Sequence, residues 1–507
     1  MRPAATMPEW LACQARAVPG RLALVAGDVR WTFADLDRQA RRTARRLASL
    51  GVRDGDRVAL LLRNSAAYVA LTHALARLGA VAVPLNVRLA VPELRWQLAD
   101  ASPRTLVSDA AAAARALEAA ERLPRLEHVA VVHELDALPE ADVPLREHVD
   151  LASVQGIVYT SATSGRPKGV LLSFGNHWWS ALGSALRLGL DGDDRWLAPL
   201  PLWHVGGLAI VWRSAIYGIT MVLHDAFDPA AVNRDIDGGA VTVASMVGTM
   251  LERVLASRHG RPFPPSLRCV LLGGGPAPAG LLDACRRLKV PVAGTYGLTE
   301  AASQVATLPP DETLSKPGSA GHPLLPTRIR IDADGRAAAA HEIGEILVAG
   351  PTVMLGYAGR PDETARALHG GWLSTGDLGY LDADGCLYVV DRRDDLIVTG
   401  GENVYPAEVE AVLREHPAVA DAGVIGIPDA TWGQAVGAAV TLRPGAAAMA
   451  EELRTFCAAR LARYKLPRSV WFVEVLPRSS GGKLLRRAIR EWAAAQPTPG
   501  PGAMPDR

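Results

Sequence analysis

At 507 residues the chain is longer than one hydrophobic core usually serves, so two or more domains are expected. Hydrophobic residues make up 49% and charged residues 21%, the balance of a globular protein, and a formal net charge of +1 gives no electrostatic reason to expect nucleic acid or an anionic membrane as partner. Five widely separated cysteines without a CxxC, and no apolar run of about 18 residues, argue against a disulfide framework, a metal cluster or membrane insertion, and fit a reducing cytosol. The opening stretch MRPAATMPEWLACQARAVPG lacks the long apolar core of a signal peptide, so a cytoplasmic location is expected.

The first third alternates helix and strand. Thr32 with Asp35 forms a variant capping box opening a helix that Gly51 ends. The paired arginines on this segment, Arg41–Arg42 and Arg45–Arg46, read as a solvated helix face. RVALLL (57–62) reads as a buried strand, Asn64 caps a helix that Gly79 closes, and AVAVP (80–84) is the next strand. That rhythm implies a parallel, doubly wound α/β sheet. AAAARALEAAERL (111–123) reads as an exposed helix. VQGIVY (154–159) is a strand that empties into YTSATSGRPKGV, where four hydroxyls, two glycines and a lysine suit phosphate: backbone N–H groups converge on the anion and side chains add donors. Its spacing is not that of a Walker loop.

RCVLL (268–272) runs into three glycines, and VAGTYGLTE follows. Ligands of open α/β sheets lie beyond the carboxyl ends of strands, where these loops fall. After about residue 325 the chain becomes β-rich, with DADG turns at 332–335 and 382–385. From residue 394 a small α+β domain is expected through 494, after an N-terminal domain of residues 1–393. The Pro/Gly-rich end, 495–507, reads as a disordered tail.

YTSATSGRPKGV, PLWHVGG, LLGGGPAP, TYGLTE, STGD, DRRDDLIVTGGENVYPAEVE and PRSSGGK, in that order, resemble the motifs of the adenylate-forming superfamily of acyl-CoA synthetases, luciferases and peptide-synthetase adenylation domains. The resemblance spans roughly Trp10 to Trp492. It implies a large ATP- and acid-binding α/β domain hinged to a small domain that carries the catalytic lysine. It also implies a two-step reaction: a carboxylate attacks the α-phosphate of ATP, then CoA thiol displaces AMP.

The site residues follow from the same resemblance. Thr160, Ser161, Thr163, Ser164 and Lys168 would hold phosphates, with Ala162 standing where the family usually has glycine. Gly273, Gly274, Gly275 and Pro276 would lie along adenine, Tyr296 would stack on it, and Gly297 and Thr299 belong to the same nucleotide motif. Asp377 and Arg392 match the ribose residues, Glu300 the carboxylate on the Mg²⁺ side, and Asp394 the hinge. Lys483 matches the essential lysine that bridges acid and α-phosphate, beside Gly481 in place of the usual serine. Gly400, Gly401 and Glu402 match the segment brought to the adenylate for the CoA step.

GNHWWSALGSALRLGL, PLWHVGGLAIVWRSAIYG and LLGGGPAP resemble, within the superfamily, the 2-succinylbenzoate–CoA ligases of menaquinone synthesis. That implies ATP, CoA and a small aromatic dicarboxylic acid as substrates. His204 then falls on the acyl side, and Arg213 would pair with the carboxylate that is not activated; Trp178 and Trp179 read as packing residues. Gly206 stands where relatives often have serine. A ligase for another aryl or fatty acid would have no need of Arg213, and a weakly catalytic nucleotide-binding paralogue is the other alternative. A homo-oligomer is compatible with the sequence.

Overall fold

The protein is described here by a computed structural model covering residues 5–160, 166–275, 277, 279–391, 396–477 and 484–496. The chain divides into two compact units, one built from residues 1–87, 98–159 and 169–390, the other from 88–97, 160–168 and 391–507.

The larger unit holds two extended sheets. In the first, Arg57–Leu61 pairs parallel with Val81–Pro84 on one side and Thr105–Ser108 on the other. Val154–Thr160 continues the sheet parallel to Val81–Pro84, and Lys168–Ser173 and Gly356–Tyr357 extend it. In the second, Leu22–Ala26, Thr220–Leu223, Arg195–Ala198, Val243–Val247, Cys269–Gly273 and Val292–Leu298 run parallel. Ser303–Leu308 then turns back antiparallel, and the β-rich region, from Ser319–Pro323 to Arg328–Ala333, hydrogen-bonds onto it in one path. Near-continuous apolar strands such as Cys269–Gly273 are what two covered faces require.

Local signals act where the sequence put them, with three corrections. The capping box at Thr32 is reciprocal, opening the helix Phe33–Ser49, and Gly51 follows its end at φ +83°. Asn64 is not the cap of the next helix. Ser65, one residue nearer, accepts the Tyr68 N–H, and Gly79 closes the helix left-handed at φ +74°. Asn64 instead turns inward, donating to the carbonyls of Leu200 and His224 at 2.9 and 3.0 Å and accepting from the Leu202 N–H. The arginine pairs are not uniformly solvated either: Arg46 is buried and binds the side chain and carbonyl of Asp136. The exposed helix is shorter than expected, Ala113–Ala120, and buries Ala116 and Ala119.

The smaller unit is built on a sheet in the order Glu402–Val404, Ile397–Thr399, Gly433–Leu442, Val419–Asp429, with Ser469–Phe472 parallel to Gly433–Leu442. Helices Pro406–Arg414 and Ala450–Ala458 close over a core that includes Val409, Leu413, Val424 and Leu453. All five cysteines are free, four of them buried. No helix among the described residues is long and apolar enough to cross a membrane.

Candidate active site

The site is organised by the hairpin formed by Val292–Leu298 and Ser303–Leu308. A bulge between Tyr296 and Gly297 shifts its register. Gly297 is required there, since a Cβ would lie 1.9 Å from the Ser303 carbonyl oxygen. The bulge aims Tyr296, which is buried, so that its hydroxyl donates to Asp377 Oδ2 at 2.6 Å. TYGLTE and STGD, far apart in sequence, thus meet in one hydrogen bond.

The turn of the hairpin, Thr299–Ala301, carries Glu300, which accepts from the Tyr357 hydroxyl at 3.1 Å while its carbonyl accepts the Met354 N–H at 2.8 Å. Ala302 and Ser303 follow at φ +53° and +100°. Two successive non-glycine residues at positive φ cost on the order of 1–3 kcal/mol each and persist only where surroundings over-determine them.

Those surroundings come from the helix Phe174–Leu188. Ser173 and Asn176 form its capping box, and the Asn176 amide donates to the carbonyls of Pro351 and Val353 at 2.9 and 2.8 Å. His177 contacts Gln155 Oε1 at 3.0 Å, and burial, helped by the nearby Arg213 charge, pushes its pKa down to about 3, so the ring stays neutral. Ser180 donates to the Ala302 carbonyl at 2.7 Å.

Arg213 lies on the next helix, Val205–Tyr217, and is 2% exposed. Its Nη2 reaches Ser180 Oγ at 3.4 Å and its guanidinium lies 5.4 Å from the Trp196 ring centroid. Nε is buried without a hydrogen-bond partner among the described residues. Burial lowers the pKa of the group, opposed only by the nearby Tyr217 phenol, and no carboxylate among the described residues forms an ion pair with it. An unanswered buried guanidinium is costly, and a ligand carboxylate would answer it.

The glycine loop after Cys269–Gly273 splits into two roles. Gly274 sits at φ +82° with Val247 Cγ1 2.8 Å from where a Cβ would be, so its own conformation demands glycine. Gly275 faces open space on that side, room that a flat base would use. His204 caps the helix Val205–Tyr217 by position but makes no side-chain cap bond. A serine at position 206 would fit, since a Cβ there meets only Leu200 Cδ1 at 3.7 Å.

The AMP-binding enzyme family profile matches residues 11–358, and the family's C-terminal domain profile matches 408–483. The chain belongs to the AMP-binding enzyme family. The 2-succinylbenzoate–CoA ligase of Geobacillus kaustophilus is 51% identical over 96% of this chain and 98% of its own length. Among solved structures, a double mutant of o-succinylbenzoate CoA synthetase (MenE) from Bacillus subtilis bound with its product analogue OSB-NCoA is similar at a TM-score of 0.92, with 43% identity, covering 96% of this chain and 99% of that one. The same Bacillus subtilis enzyme in complex with the acyl-adenylate OSB-AMP gives 0.75 at 43% identity, covering 96% and 98%.

Of the AMP-binding motif residues, Ser161, Thr163, Ser164, Pro276, Arg392, Asp394 and Lys483, with Ala162 and Gly481, lie outside the described residues, as does the tail from 497. Thr160 ends the strand Val154–Thr160 and Lys168 begins the strand Lys168–Ser173. Beside them Tyr159 donates to Asp100 Oδ2 at 2.8 Å, and Arg360 pairs with the other oxygen at 2.7 Å.

In the smaller unit Gly400 and Gly401 take φ +57° and +85°, and a Cβ on Gly400 would lie 2.6 Å from the Trp432 ring. Glu402 is buried and pairs with Arg88 at 2.9 Å. Close by in the same unit Lys465 is buried between Glu93 and Glu408, at 2.6 and 2.8 Å.

Tyr357 and Arg88 lie outside the quoted motifs and Ser180 lies within GNHWWSALGSALRLGL, but none of the three stands out in the sequence, because what each does rests on long-range contacts. A serine recurring in register with Asn176 and Ser184, four residues either way, was the only local sign of a polar helix face. An arginine-lined cavity of about 430 Å³, with Arg16, Arg38, Arg41, Arg42 and Arg77 in its wall, includes no motif residue. Arg16, Arg38, Arg41 and Arg42 pair there with Glu147, Asp35, Asp37 and Glu140, which makes it a largely ion-paired face.

Proposed function

We infer that the chain is a 2-succinylbenzoate–CoA ligase, joining 2-succinylbenzoate to CoA through an acyl-adenylate in menaquinone biosynthesis. The observation that carries the substrate is Arg213: a buried guanidinium, without a carboxylate partner among the described residues, within one serine of the Glu300 turn.

2-Succinylbenzoate has two carboxylates, and only the aliphatic one is activated. The ring carboxylate, once out of water, needs a cation, and Arg213 supplies it. The aliphatic carboxylate then attacks the α-phosphorus of ATP as pyrophosphate leaves. Charge builds up against charge in that step, and Lys483 stabilises it by bridging the attacking oxygen and the phosphoryl group. Thr160, Ser161, Thr163, Ser164 and Lys168 bind the departing phosphates. Asp377 holds the ribose, its orientation fixed by the Tyr296 hydroxyl, and Arg392 assists.

No group of three metal-ligating side chains occurs among the described residues, and a lone Glu300 suits Mg²⁺, which prefers few carboxylates and takes its other oxygens from phosphate. Bound there, Mg²⁺ would neutralise phosphate charge. Rotation about Asp394 would exchange Lys483 for the Gly400–Glu402 segment in the CoA step, in which thiol sulfur attacks the acyl carbon and AMP leaves.

The test is a competition in one tube with ATP, Mg²⁺ and CoA. 2-Succinylbenzoate, benzoate, 4-coumarate and a medium-chain fatty acid are offered together, and thioesters are read by mass spectrometry. Succinylbenzoyl-CoA should dominate. A dominant aryl or fatty acyl-CoA instead would leave the ligase chemistry intact and remove the substrate assignment.

A further inference from the structure

A helical serine ordinarily bonds back to a carbonyl of its own helix. Ser180 does not. Its hydroxyl donates to Ala302, 122 residues away in sequence, and its oxygen receives Nη2 of Arg213 from a neighbouring helix. The side chain is buried. A hydroxyl has one proton, and here the carbonyl takes it, so the oxygen presents only lone pairs to its surroundings. That polarity attracts a guanidinium and repels a carboxylate.

The carbonyl that Ser180 holds is also special. Ala302 is the first of two strained residues leaving the Glu300 turn, so one hydroxyl restrains both that turn and the arginine.

We propose that Ser180 is a positioning residue for the unactivated carboxylate of the acid: it directs Nη2 of Arg213 to itself, leaving other guanidinium N–H groups for the substrate, and locks that arrangement to the turn bearing Glu300. The proposal rests on Arg213 being the anchor of that carboxylate. Acid recognition and the Mg²⁺-side carboxylate then share one support, and loosening it reduces discrimination between acids before it affects nucleotide binding.

The experiment compares two acids on the full-length enzyme. 4-Oxo-4-phenylbutanoate has the same chain and ketone as 2-succinylbenzoate but no ring carboxylate, so the ratio of their kcat/KM values reads that carboxylate alone. Arg213→Met should lower the ratio by about 100-fold and Ser180→Ala by about tenfold, with Ser180→Thr, which keeps the hydroxyl, closer to wild type than Ser180→Ala. KM for ATP should move less than KM for 2-succinylbenzoate. Ser180→Gly repeats the deletion if Ser180→Ala is insoluble.

A collapsed ratio in Arg213→Met with a wild-type ratio in the serine deletions would overturn the role of Ser180. An unchanged ratio in Arg213→Met would overturn the anchor itself.

Discussion

Two arginines of the larger unit, Arg77 and Arg213, are equally buried and differently answered. Arg77 lies against Glu9 at 3.3 Å, Asp37, and Glu147 at 3.4 Å, and donates to the Arg146 carbonyl at 3.0 Å. Burial lowers its pKa, but the three carboxylates outweigh that and hold it above the usual value. For Arg213 burial wins: the described residues set a serine hydroxyl, an indole face and the Tyr217 phenol against it, of which only the phenol pushes the pKa up. Each has a buried histidine beside it, His73 and His177, on the same Trp212 ring at 5.3 and 5.7 Å. The two settings match in burial and in neutral neighbour, and differ in charge pairing. A guanidinium that a fold answers holds the fold together; one that it leaves open is available to a ligand.

A third cation, Lys483, sharpens the contrast, because the role proposed for it is neither packing nor anchoring. Lys483→Ala should slow adenylation by about 10²–10³-fold or more, while thioester formation from supplied acyl-adenylate continues. Single-turnover assays of each half-reaction would measure this, and equal losses in both would contradict the assignment. Arg77→Met should leave Glu9 buried without its counter-ion, costing about 3–5 kcal/mol in urea unfolding of its unit. An unaltered unfolding midpoint would mean that the Arg77 cluster contributes nothing net.

Smaller effects probe the Tyr296–Asp377 contact and the histidines beside the two arginines. Tyr296→Phe removes the hydrogen bond that orients Asp377, and KM for ATP should rise about 3–10-fold. No change would show that Asp377 needs no such support. Both histidines carry pKa values pushed down to about 3, by burial first and by the adjacent arginine second. In the unfolded chain they take up protons below about pH 6.5, so between that value and about pH 3 the unfolded state binds more protons and stability falls as pH drops. His177→Gln should flatten part of this acid limb. Parallel limbs for wild type and variant would assign it to other groups.

Much of this was legible in the sequence for identifiable reasons. Motif residues such as Gly274, Gly297 and Glu300 sit where strand ends and turns put them, and local pattern reveals strand ends. Arg213 was conspicuous because its flanks, AIVW and SAIY, are apolar. Ser180 was not, because its meaning lies in contacts with Ala302 and Arg213 that a helix pattern does not encode. Arg88, bound to Glu402 across 314 positions, was hidden for the same reason. Asn64 and Ser65 are both good caps, and only the demand of the Leu200 and His224 carbonyls shows which one turned inward. Arg46 follows Arg45 on a helix whose buried stripe includes Ala44 and Leu47, so one member of the pair faced the core and the doublet concealed it.

The most direct measurement is made on Arg213→Met, with urea unfolding and calorimetric binding of 2-succinylbenzoate in the same preparation. An apolar side chain of similar length removes the charge without opening a cavity, so stability should hold or rise while affinity for the acid falls by about 100-fold. Lost stability with unchanged affinity would make Arg213 a second Arg77, a structural arginine, and would contradict the account.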